Sequence, residues 1–412
     1  MDSQRRGRGS SSPNVSPGRS GITYPLGFKA AGVSCGIKAD GKKDLCLIFS
    51  ESVSTAAGAF TTNKFPAAPV ILSSKRLREG KAQAIVANSG CANACTGEDG
   101  LLDAERMASI AGSALGIDPS LVLVASTGII GKRLPMDKVE AGIKEAASLL
   151  SPEGGRDAAE AIMTTDRFPK EVSTEFAFEG KEVRIGGMAK GAGMISPRMA
   201  TMLCFITTDA EVHPAVLRAT LMKAVDSSFN RIVVDGDTST NDTVIILANG
   251  MSGCRIVPGT ESYRLFSSAL NMVCEHLARK IVENGEGVTK LLEVRVKGAR
   301  TPSDADKVGR AIVSSTLVKA ALHGSDPNWG RIMCAIGYSG ADFGSDPDIF
   351  IGERIWIRDG HIEEMGEEDA RALLSSDYIE LTVDLKEGVY ESRFLGCDIS
   401  EEYVSENSSY RS

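Results

Sequence analysis

No apolar run in the 412-residue chain approaches the roughly 20 residues that a bilayer-spanning helix requires. A membrane protein of the helical kind is therefore excluded. Residues 1–20 are rich in Ser, Arg, Gly and Pro and lack the apolar stretch of a secretory signal, so they read as a disordered tail. The tail is basic and Ser-rich, as organelle-targeting peptides are, yet it shows no amphipathic helix; a cytoplasmic location is expected. Positive charge is also short: Lys and Arg number 46 against 54 Asp and Glu, a formal net charge of -8. Nucleic-acid binding rests on clustered Lys and Arg, and this balance argues against it. Histidine is scarce. Of four, His213, His276 and His361 lie in surface-like settings and His323 closes a predicted helix, so no Ser-His-Asp triad finds support.

The nine cysteines, an odd number, are Cys35, Cys46, Cys91, Cys95, Cys204, Cys254, Cys274, Cys334 and Cys397. Most sit in apolar runs such as Leu45-Cys46-Leu47, which reads as reduced core thiols. The Cys91–Cys95 pair has no second pair at zinc spacing, so no metal site is expected. Lys190-Gly-Ala-Gly193 lacks the Gly-x4-Gly-Lys-Ser/Thr spacing of a phosphate loop.

What remains is ordinary globular composition, 42% hydrophobic and 24% charged, long enough for a large core in one broad domain or two lobes. Short apolar runs ending in small polar residues predict strands at residues 45–49, 82–87 and 121–125. Between them, helical spacing predicts helices at 103–115 and 136–150, and residues 175–178 and 182–185 form a hairpin through Glu179-Gly180. Further strands are predicted at 202–207, 232–234, 243–248 and 332–336, with helices at 214–229, 263–282 and 304–321. The pattern is α/β (α+β), without internal repeat. The one compositional break is the Gly-rich stretch 186–193.

That break leads into Lys190-Gly-Ala-Gly-Met-Ile-Ser-Pro-Arg-Met-Ala-Thr201-Met-Leu-Cys-Phe-Ile-Thr-Thr-Asp209. Threonine is a weak nucleophile at its free pKa and needs an adjacent base. A cut just before Thr201 would supply one, the new α-amine, whose reference pKa of about 7.7 suits proton transfer at neutral pH. The same Oγ can make the cut: it attacks the Ala200 carbonyl, the acyl group moves from N to O, and water releases the ester. By itself, the segment is also what an ordinary loop-to-strand junction looks like. The loop Gly236–Thr243, dense in hydroxyls and carboxylates, reads as a metal or phosphate site or as a hydrogen-bonded polar loop.

The segment resembles the self-processing region of the ornithine acetyltransferase (bifunctional glutamate N-acetyltransferase) family. So do Asn88–Gly97, Ser126–Gly131, Thr164–Lys170, Val234–Thr243, Asn284–Lys290, Gly324–Arg331 and the tail Tyr403–Ser412, in the same order. The resemblance implies that Thr201 is the nucleophile and Ala200–Thr201 the cleaved bond. It divides the chain into an α fragment, 21–200, and a β fragment, 201–412, interleaved in one layered helix-and-sheet fold of the N-terminal-nucleophile type. Thr127 and Gly128 match the oxyanion-hole pair, and Glu286 an active-site glutamate that would hold the Thr201 amine or the substrate ammonium. Thr164 and Lys190 match substrate-binding positions, as do Asn407 and Ser412 in the tail. The tail departs from the commoner pattern, with Ser412 where Thr ends it and Ser408-Ser409 after Asn407 where Ala is usual; Ser196 and Arg198 also stand where Ala and Asn are frequent.

The implied reaction is ping-pong: N-acetylornithine acetylates Thr201, ornithine leaves, and glutamate takes the acetyl group, a step of arginine biosynthesis. Acetyl-CoA serves some members as donor, so it enters as a candidate co-substrate, although no discrete CoA motif is present. The family uses no metal or cofactor, which favours the polar-loop reading of 236–243, and assembles as a heterotetramer of processed pairs. Two alternatives stay open. One is a related N-terminal-nucleophile aminopeptidase or amidase; the other is a binding protein that has kept the fold without activity.

Overall fold

The computed structural model describes residues 11–16, 21–196, 202–363 and 365–409, with residues 11–16 and 409 described by backbone alone. Strands β1 (Ser11–Ser16), β2 (Phe28–Val33) and β3 (Leu45–Phe60) precede helix α1 (Ala68–Arg76). Next come β4 (Lys81–Asn88), α2 (Gly97–Leu115), β5 (Val122–Ser126), α3 (Met136–Ser148), α4 (Gly155–Ala161) and the hairpin β6 (Lys170–Phe178) and β7 (Lys181–Lys190). Then follow β8 (Leu203–Thr208), β9 (Glu211–Val212), α5 (Pro214–Ser227), β10 (Thr243–Ala248), β11 (Arg255–Ile256) and α6 (Glu261–Glu283). A second lobe holds β12 (Leu291–Ala299), α7 (Pro302–Ser314), α8 (Thr316–His323), α9 (Trp329–Tyr338), β13 (Asp348–Ile351) and β14 (Arg354–Arg358). It continues with β15 (His361–Ile362), α10 (Glu367–Leu374), β16 (Tyr378–Asp384) and β17 (Tyr390–Cys397), and the described chain ends in α11 (Glu401–Ser409).

Among the described residues the main sheet has nine strands, ordered β1-β6-β7-β8-β10-β3-β4-β5, with β2 also on β3. Strand β3 is long enough to serve both halves. Its first part pairs with β2 and β4, its last part with β10, and the β3–β4 register slips between Phe49 and Ser54. A slip of this kind bends a strand and lets a sheet fold over. Ile48, Ile85 and Leu123 of one half accordingly pack with Phe205, Ile245 and Leu247 of the other. The alternate residues point outward. Ile206 and Ile246 meet α5 and α6 through Leu217, Leu221, Phe266 and Val273. On the other side, Val86 and Val124 meet α2 and α3 through Met107, Ala111, Val139 and Ile143. With helices or a second layer on both faces, β8 and β10 are buried throughout, which their largely apolar sequences suit. The second lobe packs its six-stranded sheet against α7 to α10 around Val294, Val308, Ile312, Ile336, Trp356, Leu381 and Phe394.

The layered α/β expectation holds, and most predicted elements match in place and type. Four readings need correction. Ile332–Ile336 is the middle of helix α9, where Ile332, Ala335 and Ile336 share the buried face; a short apolar run fits either period. Residues 232–234 form no strand, only an isolated bridge from Ile232 to Leu395. The helix expected over 304–321 breaks at Ser315, which takes extended dihedrals and caps α8 by accepting the Val318 N–H at 3.3 Å. Within the segment expected to be a disordered tail, Ser11–Ser16 runs antiparallel to β6, whose outer edge would otherwise stay unpaired.

Phe205 is fully buried in the inner layer. Phe205→Ala should therefore open a cavity there and destabilise the protein by about 3–5 kcal/mol. The readout is the denaturant midpoint; an unchanged midpoint would contradict the folded-over packing.

Candidate active site

The site forms where β7 ends and β8 begins. Lys190, the last residue of β7, pairs with Leu203, the first of β8, and its side chain is 3% exposed. Its ammonium donates to Thr127 Oγ1 at 3.2 Å. A hydroxyl that accepts from an ammonium keeps its own hydrogen for another acceptor. Thr127 follows β5 directly, and its N–H bonds to Asn88 O at 3.0 Å. Gly128 sits at φ 126°, and a Cβ there would meet Gly90 and Cys91 backbone atoms at 2.4–2.7 Å. Only glycine fits, and the strand end thereby offers backbone and hydroxyl together.

Beneath Lys190 lies a carboxylate that sequence reasoning passed over. Asp166 pairs with Lys170 at 2.5 Å, both side chains fully buried, and accepts N–H groups from Gly191 at 2.8 Å and Thr164 at 2.9 Å. Burial alone would raise its pKa. Lys170, Lys190 and the Gly191 N–H outweigh that and hold the carboxyl well below the usual range. Burial lowers both lysines, and Asp166 opposes the shift. The signal was present: Asp166 and Lys170 stand four apart within the quoted segment Thr164–Lys170.

Glu286 follows α6 and is half-buried. Its Oε1 accepts from Thr165 Oγ1 at 2.6 Å, and its Oε2 from Asn407 Nδ2 of α11 at 2.9 Å. Gly287, at φ 64°, lies so close to α11 that a Cβ would meet Tyr403 N at 2.4 Å. Thus Thr164, Lys190, Thr127, Glu286 and Asn407 belong to one connected region, with Thr165 as a further member. Thr164 takes part through its N–H to Asp166. Ala200, Thr201 and Ser412 lie outside the described residues.

Two more polar anchors come from the loop before β10. Asn241, buried, donates to Ala92 O at 2.7 Å and to Ser126 O at 2.8 Å, fixing the strand end that carries Thr127. Asp242 Oδ1 accepts the Met202 N–H at 3.1 Å. Asp235 accepts the N–H groups of Met194, at 2.5 Å, and Ile195, at 2.9 Å. Burial pushes the Asp235 carboxyl up to about 6 despite those bonds and that of Asp237. Burial, and then Asp235, Asp237 and Glu286, raise the Tyr403 hydroxyl of α11 above its usual range. The polar-loop reading of 236–243 fits these bonds. His323 faces two acids, Asp398 at 2.8 Å and Glu401 at 3.2 Å. All nine cysteines are free; Cys91 is buried and Cys95 exposed.

This constellation can stabilise an oxyanion through Thr127 and Gly128, hold a carboxylate near Lys190 and fix an ammonium at Glu286, the set that acyl transfer between amino acids needs. The ArgJ family model matches residues 29–412. The arginine biosynthesis bifunctional protein ArgJ of Symbiobacterium thermophilum is 54% identical, the alignment covering 95% of this chain and 98% of that protein. The protein of the same name from Caldanaerobacter subterraneus subsp. tengcongensis is 50% identical, and the glutamate N-acetyltransferase of Methanocaldococcus jannaschii 48%, each over 95% of this chain and 98% of the relative. The chain belongs to the ArgJ family.

Asp166→Asn should leave two buried ammonium groups with no carboxylate and destabilise the protein by about 3–5 kcal/mol. Denaturant midpoints check this, and a shift below about 1 kcal/mol would refute the cluster's role. For Asp235 the folded pKa lies above the unfolded value, so its share of stability is full at low pH and is lost as pH rises through about 6. The stability difference between wild type and Asp235→Asn should therefore change between pH 4 and 7, wild type losing ground as pH rises. A difference flat across that window would contradict the shift.

Proposed function

We propose that the chain transfers the acetyl group of N-acetylornithine to glutamate through an acetyl-threonine at Thr201, after cutting itself between Ala200 and Thr201. The observation that carries the reading is the convergence of Thr127, Lys190, Glu286 and Asn407 at the mouth of β8, the strand that Thr201 precedes. In this reading the freed Thr201 amine is the base for its own hydroxyl. Oγ attacks the acetyl carbonyl, and the oxyanion forms against the Thr127 hydroxyl and Gly128 N–H. Such a donor is worth on the order of 3 kcal/mol in comparable sites. Lys190 and Thr164 would take the substrate α-carboxylate, and Glu286 the ammonium or the Thr201 amine, with Asn407 and Ser412 closing the site from the tail. Ornithine leaves, glutamate enters the same positions, and its amine takes the acetyl group.

The names of the relatives support this reading, and the word bifunctional in two of them favours acetyl-CoA as a second donor. In the same proposal, residues 21–200 and 201–412 are the α and β fragments, two such pairs form a heterotetramer, and the enzyme works in the cytoplasm with its cysteines reduced.

Intact-mass analysis is the direct test. Wild type should give two fragments divided at Ala200–Thr201, and N-acetylornithine alone should add one acetyl group to the fragment that begins at Thr201. Glutamate should then remove it as N-acetylglutamate. Thr201→Ala should stay one uncut chain. Active enzyme with an unbroken backbone at 200–201 would sink the proposal, and hydrolysis independent of glutamate would favour the aminopeptidase reading.

A further inference from the structure

Met202 is the first described residue after the proposed cut, and its N–H is held by one carboxyl. Asp242 is fully buried, and its Oδ1 accepts that N–H at 3.1 Å. Its other oxygen, Oδ2, is buried with no hydrogen-bond partner among the described residues. The neighbouring Thr61 hydroxyl does not serve it, because its one hydrogen goes to Ser239 O at 2.6 Å while the oxygen accepts from Asn63 N at 3.0 Å. A buried, unpartnered carboxylate oxygen carries a large desolvation penalty, which a bound proton removes. Consistent with that, burial raises the Asp242 pKa well above the usual carboxylate range, with the Met202 N–H and Lys190 opposing. Sequence reasoning weighed this loop as a metal or phosphate site. A buried acid with one oxygen unpartnered, one peptide away from Thr201, suggests a different use.

We propose that Asp242 is the acid of the self-cleavage, delivering the proton that the departing amide nitrogen of Thr201 needs. This rests on the reading that the chain cuts itself at Ala200–Thr201. Thr201 Oγ bonds to the Ala200 carbonyl carbon, and the bond from that carbon to Thr201 N breaks. Nitrogen is a poor leaving group unless protonated, so Asp242 gives it the proton from Oδ2. Oγ keeps its proton through the attack and gives it to the carboxylate left behind as the nitrogen departs, which restores the acid. Water then hydrolyses the ester, giving the Ala200 carboxyl and returning the hydroxyl to Thr201. After the cut, the same carboxyl keeps the start of β8 in place through the Met202 N–H.

The variant Asp242→Asn retains an oxygen for the Met202 N–H but has no proton to transfer. Full-length chain made by cell-free synthesis and then chased should split in wild type, and about 100-fold or more slowly in Asp242→Asn. Thr201→Ala, uncut for a different reason, supplies the folding reference, and Asp242→Asn should melt with it. Cleavage of Asp242→Asn within about threefold of wild type overturns the proposal. Should that variant fail to fold, the wild-type pH profile decides. An acid of this kind makes cleavage fall about tenfold per pH unit once its proton is lost, whereas cleavage rising with pH overturns the role. A wild-type chain that never cuts removes the self-cleavage reading itself, an outcome distinct from a normal cut in Asp242→Asn.

Discussion

The site depends on one buried charge, the Asp166 carboxylate. It lies between Lys170 and Lys190 with no exposure, and it also takes the Gly191 and Thr164 N–H groups. Two ammonium groups in a dry interior repel each other and lose hydration, so without an anion between them one or both would be neutral. With Asp166 present, Lys190 keeps a buried anion beside it and donates to Thr127 Oγ1 at 3.2 Å. The Gly191 N–H sets the direction in which the glycine loop leaves β7. One side chain thus orients a cation, a hydroxyl and a loop.

A second set of bonds ties the lobes to that centre. Lys290 donates to Leu322 O at 2.9 Å, Ser325 Oγ at 2.5 Å and Leu374 O at 2.8 Å. Asp398 accepts from Thr289 and from the Lys290 N–H and binds His323. The loop after Glu286 is therefore pinned to the turn that opens Gly324–Arg331. Its role in this structure includes holding the second lobe and the base of α11 in register with Glu286. Ser400 Oγ adds a bond to Gly287 O at 2.6 Å.

How much of this could be read beforehand follows from the range of each interaction. Thr243–Ala248 was legible to the residue because the five successive apolar side chains after Thr243, buried on both faces, admit few alternatives. The helix at Ile332 was misread, since five apolar residues carry too little periodicity to separate strand from helix. Ser315 broke a helix that apolar spacing alone carried through, because a cap depends on dihedrals rather than on composition. In the site, Thr127, Lys190, Glu286 and Asn407 were named through family likeness, and their bonds join residues 63 and 121 positions apart. Asp166, Thr165 and Asn241 were missed. Their worth lies in partners that only folding brings near, such as Ser126 O beside Asn241, 115 residues away.

Strand order has a last consequence. In the sheet, β8 and β10, which follow residue 201, lie between β7 on one side and β3 on the other, both of which precede residue 200. A nick between β7 and β8 frees no edge. Pulling the two polypeptides apart would require unzipping the ladders on both flanks of the inserted pair at once and exposing the apolar layers on either face. Were the backbone severed there, the inserted pair would still be clasped like a tongue in a groove, and the molecule would keep its shape.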